Sequence, residues 1–147
     1  MALTFKAQVD KMALNTKRKM RKVVIDSITD VCRQAQTSAQ GVSAGGTLIE
    51  GRIPVVKSDL INSFTSEVGS LKTKGHASYA VALAGFDIGE TATFSWDIDY
   101  AARVNYGFTG TDSEGRTYNQ SGWFFMTRAV EKWPEFVNKN VARVRGL

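Results

Sequence analysis

Asp97 and Asp99 are two carboxylates separated by one residue, a spacing that could serve acid–base chemistry or hold a divalent cation. They fall in an alternating stretch, residues 93–100, which predicts a β-strand with both carboxylates on one face. The opposite face is aromatic and apolar, comprising Phe94, Trp96, Ile98 and Tyr100. Carboxylates on the polar face of a strand are usually solvated, and the sequence supplies no third ligand beside this pair.

The only histidine and the only cysteine do not form a catalytic pair in the sequence. His76 falls in a turn, "KGHAS", whereas Cys32 lies on or beside the apolar stripe of the first predicted helix. A Cys–His pair, a Ser–His–Asp triad and a zinc site therefore all lack an anchor. We expect no enzymatic activity, no metal and no other cofactor, with a carboxylate-only site as the remaining catalytic alternative.

Length and composition predict one soluble domain spanning residues 1–147. The chain is 43% hydrophobic and 22% charged, as in globular proteins, and no run approaches the roughly 20 apolar residues of a membrane span. The first helix also lacks the Trp and Phe content of a membrane-surface helix. A lone cysteine cannot form an internal disulfide, which agrees with folding in a reducing cytoplasm.

Basic residues are concentrated near the two ends of the chain, whose net charge is +5. The densest group is a basic face on the first helix, formed by Lys17, Arg18, Lys19, Arg21 and Lys22. Such a group is either a solvated helix face or a surface that steers an acidic partner, DNA or protein, and the sequence leaves both open. A nucleic-acid-binding module is thus the alternative function. No aromatic residues interleave the run and no helix-turn-helix is visible, so the sequence does not favour it.

Apolar residues at three- and four-residue spacing predict a long amphipathic helix over residues 4–36, capped by the Thr4 hydroxyl. Such a helix is roughly 48 Å long, more than a domain of this size covers. Part of its apolar stripe is therefore expected to pack against a neighbour.

The rest of the chain predicts an α+β fold, with a long N-terminal helix and a C-terminal helix packed on an antiparallel β-sheet of three to five strands. Residues 37–52, rich in Gly and Ser, predict a flexible loop that is mobile in the free subunit. Ser58 is a possible cap of a short helical turn. Alternation predicts strands at residues 64–71, 79–86 and 93–100. The last helix is predicted over residues 121–143, with Ser121 as its cap and a kink at Pro134.

Four large apolar residues follow one another at the start of this last helix: Trp123, Phe124, Phe125 and Met126. Successive helical residues point about 100° apart, so the four cannot all face one core. At least one is expected to pack inside the subunit, and the others are candidates for a contact with a partner.

Three motifs, in this order and spacing, give the chain a family resemblance. The first is "IPVVKSDLINS", with Pro54, Val55, Leu60 and Ser63; the second is "YAARVNYG", with Tyr100, Ala101, Val104, Tyr106 and Gly107; the third is "SGWFFMTRAVEKW", with Gly122, Trp123, Phe124, Ala129, Val130 and Trp133. Together they resemble the tail-completion or neck proteins of long-tailed bacteriophages, which join the tail to the head. The usual Asp-Thr-Gly of the first motif is "VKSD" here, and Asn105 replaces the usual acid of the second.

The resemblance implies a structural virion protein that is made in the host cytoplasm and located at the head–tail junction. It implies a homo-oligomeric ring, a hexamer, that contacts the tail tube or tail terminator and the head connector, with possible passing contact with DNA. It also implies one helical turn over residues 100–106, stopped by a positive φ at Gly107. The expected subunit or partner contacts are Tyr100, Val104, Asn105, Tyr106, Trp123 and Phe124.

Overall fold

The computed structural model describes residues 4–146 and has the predicted α+β composition. Its helices are α1 Phe5–Ala35, α2 Asp59–Asn62, α3 Ser78–Ala84, α4 Ala101–Tyr106, α5 Phe125–Glu131 and α6 Trp133–Arg145. Its strands are β1 Ser38–Gln40, β2 Ile53–Val55, β3 Phe64–Val68, β4 Leu71–Lys74, β5 Ala92–Trp96, β6 Gly107–Thr111 and β7 Thr117–Ser121.

The strands form three small sheets. β3 lies between β4 and β5 in an antiparallel sheet, with Ser66 opposite both Thr73 and Phe94. β6 and β7 form a separate hairpin, and β1 and β2 form a short parallel pair. The central sheet therefore has three strands, at the lower end of the predicted range.

Helix α1 confirms the prediction for residues 4–36 to within one residue at each end. The Thr4 hydroxyl accepts a hydrogen bond from the Ala7 amide at 3.1 Å, so the predicted cap is also present. The second half of α1 packs against α3, α5 and α6. Its first half extends beyond these elements and is described below.

The strand predicted at residues 79–86 is wrong, because this segment forms helix α3. In "YAVALAGF" alanine occupies residues 80, 82 and 84, so the alternation does not define a polar face. The buried side chains are Ser78, Ala82, Leu83 and Phe86, a helical spacing that packs onto β3 and α1. The predicted turn before this segment contains β4 instead.

The single helix predicted over residues 121–143 is divided into α5 and α6. Ser121 ends β7 and does not cap a helix; residue Phe124 occupies the cap position of α5. Pro134 lies in the first turn of α6, where proline is tolerated because that turn needs no backbone donor. The break therefore precedes the proline, at Lys132.

Residues 37–52 contain more structure than the loop that was predicted. β1 pairs with β2, and a 3₁₀ turn follows at Val42–Ala44. The end of the segment is held by the Gly51 amide, which donates to the Trp123 carbonyl at 2.6 Å. Residues 47–50 lie between these anchors without helix or strand.

Two apolar clusters form the core. One comprises Ile53, Leu60, Ile61, Trp123 and Phe125, and the other comprises Val68, Ala82, Leu83 and Phe86. Buried Gln36, at the end of α1, forms side-chain hydrogen bonds with three other segments of the chain. Its amide donates to the Ile61 and His76 carbonyls at 2.8 and 2.9 Å and accepts from the Trp96 indole at 2.8 Å.

Candidate functional site

The first half of α1, residues 5–20, forms an exposed arm. Phe5 is 83% exposed and Met12 69% exposed, although both belong to the apolar stripe of an amphipathic helix. The other exposed apolar side chains of the arm are Val9, Leu14 and Met20. At 1.5 Å per residue the arm is about 24 Å long. A row of large apolar side chains of this length is the kind of surface that marks an interaction site.

Two of the five residues of the predicted basic face interact within the chain. Arg21 caps α3, since its Nε donates to the Phe86 carbonyl at 2.6 Å and its Nη2 to the Ala84 carbonyl at 3.3 Å. Lys22 forms an ion pair with Asp26 at 3.1 Å. Among the described residues, the other three, Lys17, Arg18 and Lys19, have no ion pair. The free basic face is therefore smaller than predicted.

The structure places most of Trp123 inside the subunit, and its role as a partner contact stays a prediction. Only 8% of Trp123 is exposed, and it packs in the core cluster with Ile53 and Leu60. Phe125 is also buried, edge-on to Trp96 with ring centroids 4.9 Å apart. Phe124 is only partly buried and adopts a left-handed conformation, φ 51°, which directs the two flanking aromatic residues to the core.

Asn105 is also an internal residue rather than a contact with a partner. It is 2% exposed, and its side-chain amide forms hydrogen bonds with the first turn of α5. Its Oδ1 accepts from the Met126 amide at 3.0 Å and the Thr127 amide at 3.4 Å, while its Nδ2 donates to the Thr127 hydroxyl at 3.0 Å. Its carbonyl accepts from the Phe124 amide at 2.9 Å. Asn105 therefore caps a helix that begins 20 residues later.

The remaining predicted contact residues lie on or near helix α4. Tyr106 is 60% exposed and Tyr100 is also exposed, so both remain available to a partner. Val104 is partly buried, and its carbonyl accepts from the Trp123 amide at 2.8 Å. Gly107 has the expected positive φ, 82°, and stops α4.

Gly107 and Gly122 allow the second and third motifs to approach closely. A Cβ on Gly107 would lie 2.5 Å from the Gln120 carbonyl oxygen. A Cβ on Gly122 would lie 2.5 Å from the Asn105 carbonyl oxygen. These distances are too short for any side chain, so glycine is needed on both sides of the crossing.

The three motifs of the sequence meet around a cleft of about 620 Å³. Pro54, Val56, Leu60, Tyr100, Val104 and Trp123 contribute apolar surface, together with Val42 and Leu48. Its charged side chains are Lys57, Asp59 and Arg103. Burial, and the charge of Asp59, raise the pKa of the Tyr100 hydroxyl, which therefore stays neutral. The cleft mixes apolar and polar surface and has no arrangement that suggests a reaction.

The candidate chemical residues of the sequence stay apart in the structure. Asp97 and Asp99 are exposed, but the predicted strand over residues 93–100 ends at Trp96, so neither carboxylate lies on a strand face. Cys32 is buried, and burial raises the pKa of its thiol to about 12, which leaves it unreactive near neutral pH. The His76 ring lies beside the Gln36 carbonyl at 3.3 Å. Among residues 4–146 no group of three or more His, Cys, Asp or Glu side chains could hold a metal ion.

Comparisons of the chain with protein-family models, with curated proteins and with solved structures found no match. Within residues 4–146, none of the helices has both the length and the apolar character needed to cross a membrane.

Proposed function

We propose that this protein is an assembly subunit that forms a homo-oligomeric ring at the head–tail junction of a long-tailed bacteriophage. The observation that carries the proposal is the arm, which leaves Phe5, Val9 and Met12 exposed on one helix. Removing such side chains from water is worth roughly 1.5–3 kcal/mol each, enough together to support a subunit contact.

A closed ring buries such an apolar surface in every subunit. A contact between two different surfaces of the same chain repeats by rotation and closes into a ring, whereas an unclosed series would form fibres. In a closed ring every arm is covered. The resemblance of the three motifs to tail-completion proteins supplies the remaining parts of the proposal: the hexamer, the virion location, and the tail tube or tail terminator and head connector as neighbours.

Apolar exposure favours a protein partner over DNA. Phosphates would neutralise Lys17, Arg18 and Lys19, but they would leave Phe5 and Met12 in water. The nucleic-acid-binding alternative explains the charge of the arm and not its apolar stripe. A protein surface with acidic and apolar groups accounts for both.

Mass measurement of the purified protein, with and without tail tubes from the phage that carries the gene, tests the proposal. We expect the wild type to form a discrete oligomer at least in the presence of tails. Met12→Glu places a charge in the arm stripe and should abolish this oligomer. Leu71→Glu, on exposed β4, is the matched control and should leave it intact.

Wild-type protein that stays monomeric under both conditions would contradict the assembly function. An oligomer that is equally sensitive to both substitutions would contradict the role of the arm. Circular dichroism should show unchanged helix content for both variants, because both positions are exposed.

A further inference from the structure

We propose that the arm of one copy packs into the cleft of the next copy, so that the ring is held by a head-to-tail contact. The inference rests on the proposed ring and specifies which two surfaces meet in it. The arm and the cleft both carry exposed apolar side chains.

The cleft has an apolar rim as well as an apolar floor. Val42, Val56 and Tyr100 line it and are themselves exposed, at 62%, 51% and 41%. Leu60 and Trp123 lie deeper and belong to the core. The cleft therefore offers an apolar surface that the subunit itself leaves uncovered.

The arm of the same copy cannot reach this cleft. α1 is an uninterrupted helix from Phe5 to Ala35, and Met12 lies about 35 Å from its C-terminal end. The wall of the cleft begins at Gly41, only six residues beyond Ala35. Arm and cleft thus lie toward opposite ends of a rigid rod, and an arm in the cleft has to come from a second copy. A donor at one end and an acceptor at the other make the contact heterologous.

Two arms packed side by side are disfavoured by charge. Residues 5–20 contain five basic residues and one acidic residue: Lys6, Lys11, Lys17, Arg18, Lys19 and Asp10. Paired arms would place like charges next to one another, and their repulsion would destabilise the contact.

One carboxylate, Asp59, lies in the cleft beside two cations. Asp59 lines the cleft and has no ion pair among the described residues, so it is free to face a lysine of the arm. Lys57 and Arg103 are the cations of the same cleft, and the Arg103 guanidinium stacks 4.3 Å from the centre of the Phe108 ring. Part of the loop belongs to the cleft wall, through Gly41, Val42, Ser43 and Leu48. An arm that binds in the cleft would therefore also order this part of the loop.

Cross-linking between differently labelled copies tests the contact directly. Val9→Cys on the arm and Val56→Cys on the cleft rim are prepared as separate variants, mixed, assembled and treated with a short bismaleimide. The buried Cys32 thiol, with a pKa of about 12, leaves the wild type as an unreactive background. Leu71→Cys, 44% exposed against 51% for Val56, replaces the rim variant as the matched control.

We expect mixed dimers of the Val9→Cys and Val56→Cys proteins, several-fold more abundant than those with Leu71→Cys. Dimers from Val9→Cys alone would overturn the inference, because they require paired arms. Equal cross-linking of the rim and control variants would overturn it as non-specific. An assembled oligomer without the mixed dimer would overturn this contact and leave the ring proposal standing, whereas absence of any oligomer would remove both.

Discussion

Asn105 stabilises the start of α5 from a different element. The cap position of that helix is Phe124, whose side chain cannot accept a hydrogen bond from the first turn. The Asn105 amide supplies this acceptor and also donates to Thr127, so all its hydrogen-bonding groups that face α5 are used. A carboxylate could accept the same two amide hydrogens, which explains physically how an acid and an asparagine can occupy this position in similar motifs.

Asn105→Ala should lower the free energy of unfolding by about 1–3 kcal/mol, because two amide donors at a buried helix start lose their partner. Urea unfolding followed by circular dichroism measures the change. Asn119→Ala, on exposed β7, is the control and should stay within about 0.5 kcal/mol of wild type. Equal effects of the two substitutions would show that the hydrogen bonds of Asn105 contribute nothing specific.

Asp30 links α1 to α6 through charge. Its carboxylate accepts from the Asn140 amide and from Lys139, both at 3.0 Å, and Arg33 lies nearby at 3.6 Å. Burial by itself would raise the pKa of Asp30, but the Asn140 and Lys139 hydrogen bonds and the two positive charges outweigh it and hold the pKa below its usual value. Asn140 also donates to buried Ser27 at 3.1 Å, so this contact joins α6 to the C-terminal part of α1.

The lowered pKa predicts acid sensitivity. A group whose folded pKa lies below its unfolded pKa, here about 3.9, stabilises the fold above that value and loses the contribution as pH falls through the folded pKa. Asp30→Asn should therefore be less stable than wild type at neutral pH and show a flatter decline below about pH 4. Asp10→Asn, whose ion pair with Lys6 is exposed, is the control for a general charge effect. Identical pH profiles for wild type and Asp30→Asn would contradict the assignment.

At the scale of the elements, sequence periodicity was sufficient for α1 and insufficient for α3. The stripe of α1 recurs over more than eight turns, so its period is unambiguous. In residues 79–86 alanine fits both a strand and a helix, and the deciding contacts, of Leu83 and Phe86 with the sheet, are tertiary. The same limit applies to Trp123 and Phe124: four adjacent apolar residues show that one must leave the core, but not which one.

The hairpin of β6 and β7 was also missed, because each strand holds a single aromatic residue, Phe108 or Tyr118, among polar residues and glycine. The turn is instead held by Asp112, which accepts from the Glu114 and Arg116 amides at 2.9 and 2.8 Å. Desolvation raises the pKa of the Asp112 carboxyl, but the hydrogen bonds from Arg116, Tyr118 and Glu114 together outweigh it and hold this pKa below its usual value. The sequence "DSEG", residues 112–115, contains the Asp and Gly typical of a turn and could have predicted this hairpin.

Mobility of residues 37–52 in the free subunit stays a prediction. The contacts of the segment restrict it to a shorter stretch, because β1 is paired and Gly51 is bonded to Trp123. Fast hydrogen exchange is expected at residues 47–50 in the free protein and slower exchange after assembly. Strong protection there before assembly would contradict it.

Replacing Lys17, Arg18 and Lys19, the part of the basic face without an ion pair among the described residues, tests what the charge of the arm does. Lys17→Gln, Arg18→Gln and Lys19→Gln together should leave folding intact, since exposed charges contribute little to stability. They should slow docking to an acidic partner, most strongly at low salt. Lys72→Gln, Lys74→Gln and Lys132→Gln form a control with the same loss of charge elsewhere on the exposed surface. Equal docking of the two triple variants at low salt would show that the arm is only solvated.

The same triple variant separates the proposed function from the nucleic-acid-binding alternative. Tight DNA binding by wild type that is steeply dependent on salt and lost in the arm variant, without any oligomer, would support the alternative. Oligomer formation that depends on Met12 as well as on the cations would support assembly.

At the scale of the whole molecule, the subunit has an asymmetric shape suited to repetition. The core, the cleft and α5 lie toward the C-terminal end of α1, whereas the arm extends from the other end with its apolar side chains exposed. A free subunit of this shape exposes its apolar arm to water. Repeating one contact between subunits covers every arm once the series closes into a ring. This asymmetry, together with the three motifs, is the basis of the proposed ring.

Electron microscopy of tailed particles carrying a labelled copy of this chain tests the central claim most directly. The label is best placed on residue Gly146, which is exposed at the end of α6. The account predicts a ring of label at the head–tail junction, with six copies, and its loss in particles made with Met12→Glu. Label distributed along the tail, on the capsid surface or absent from the particles would contradict the account.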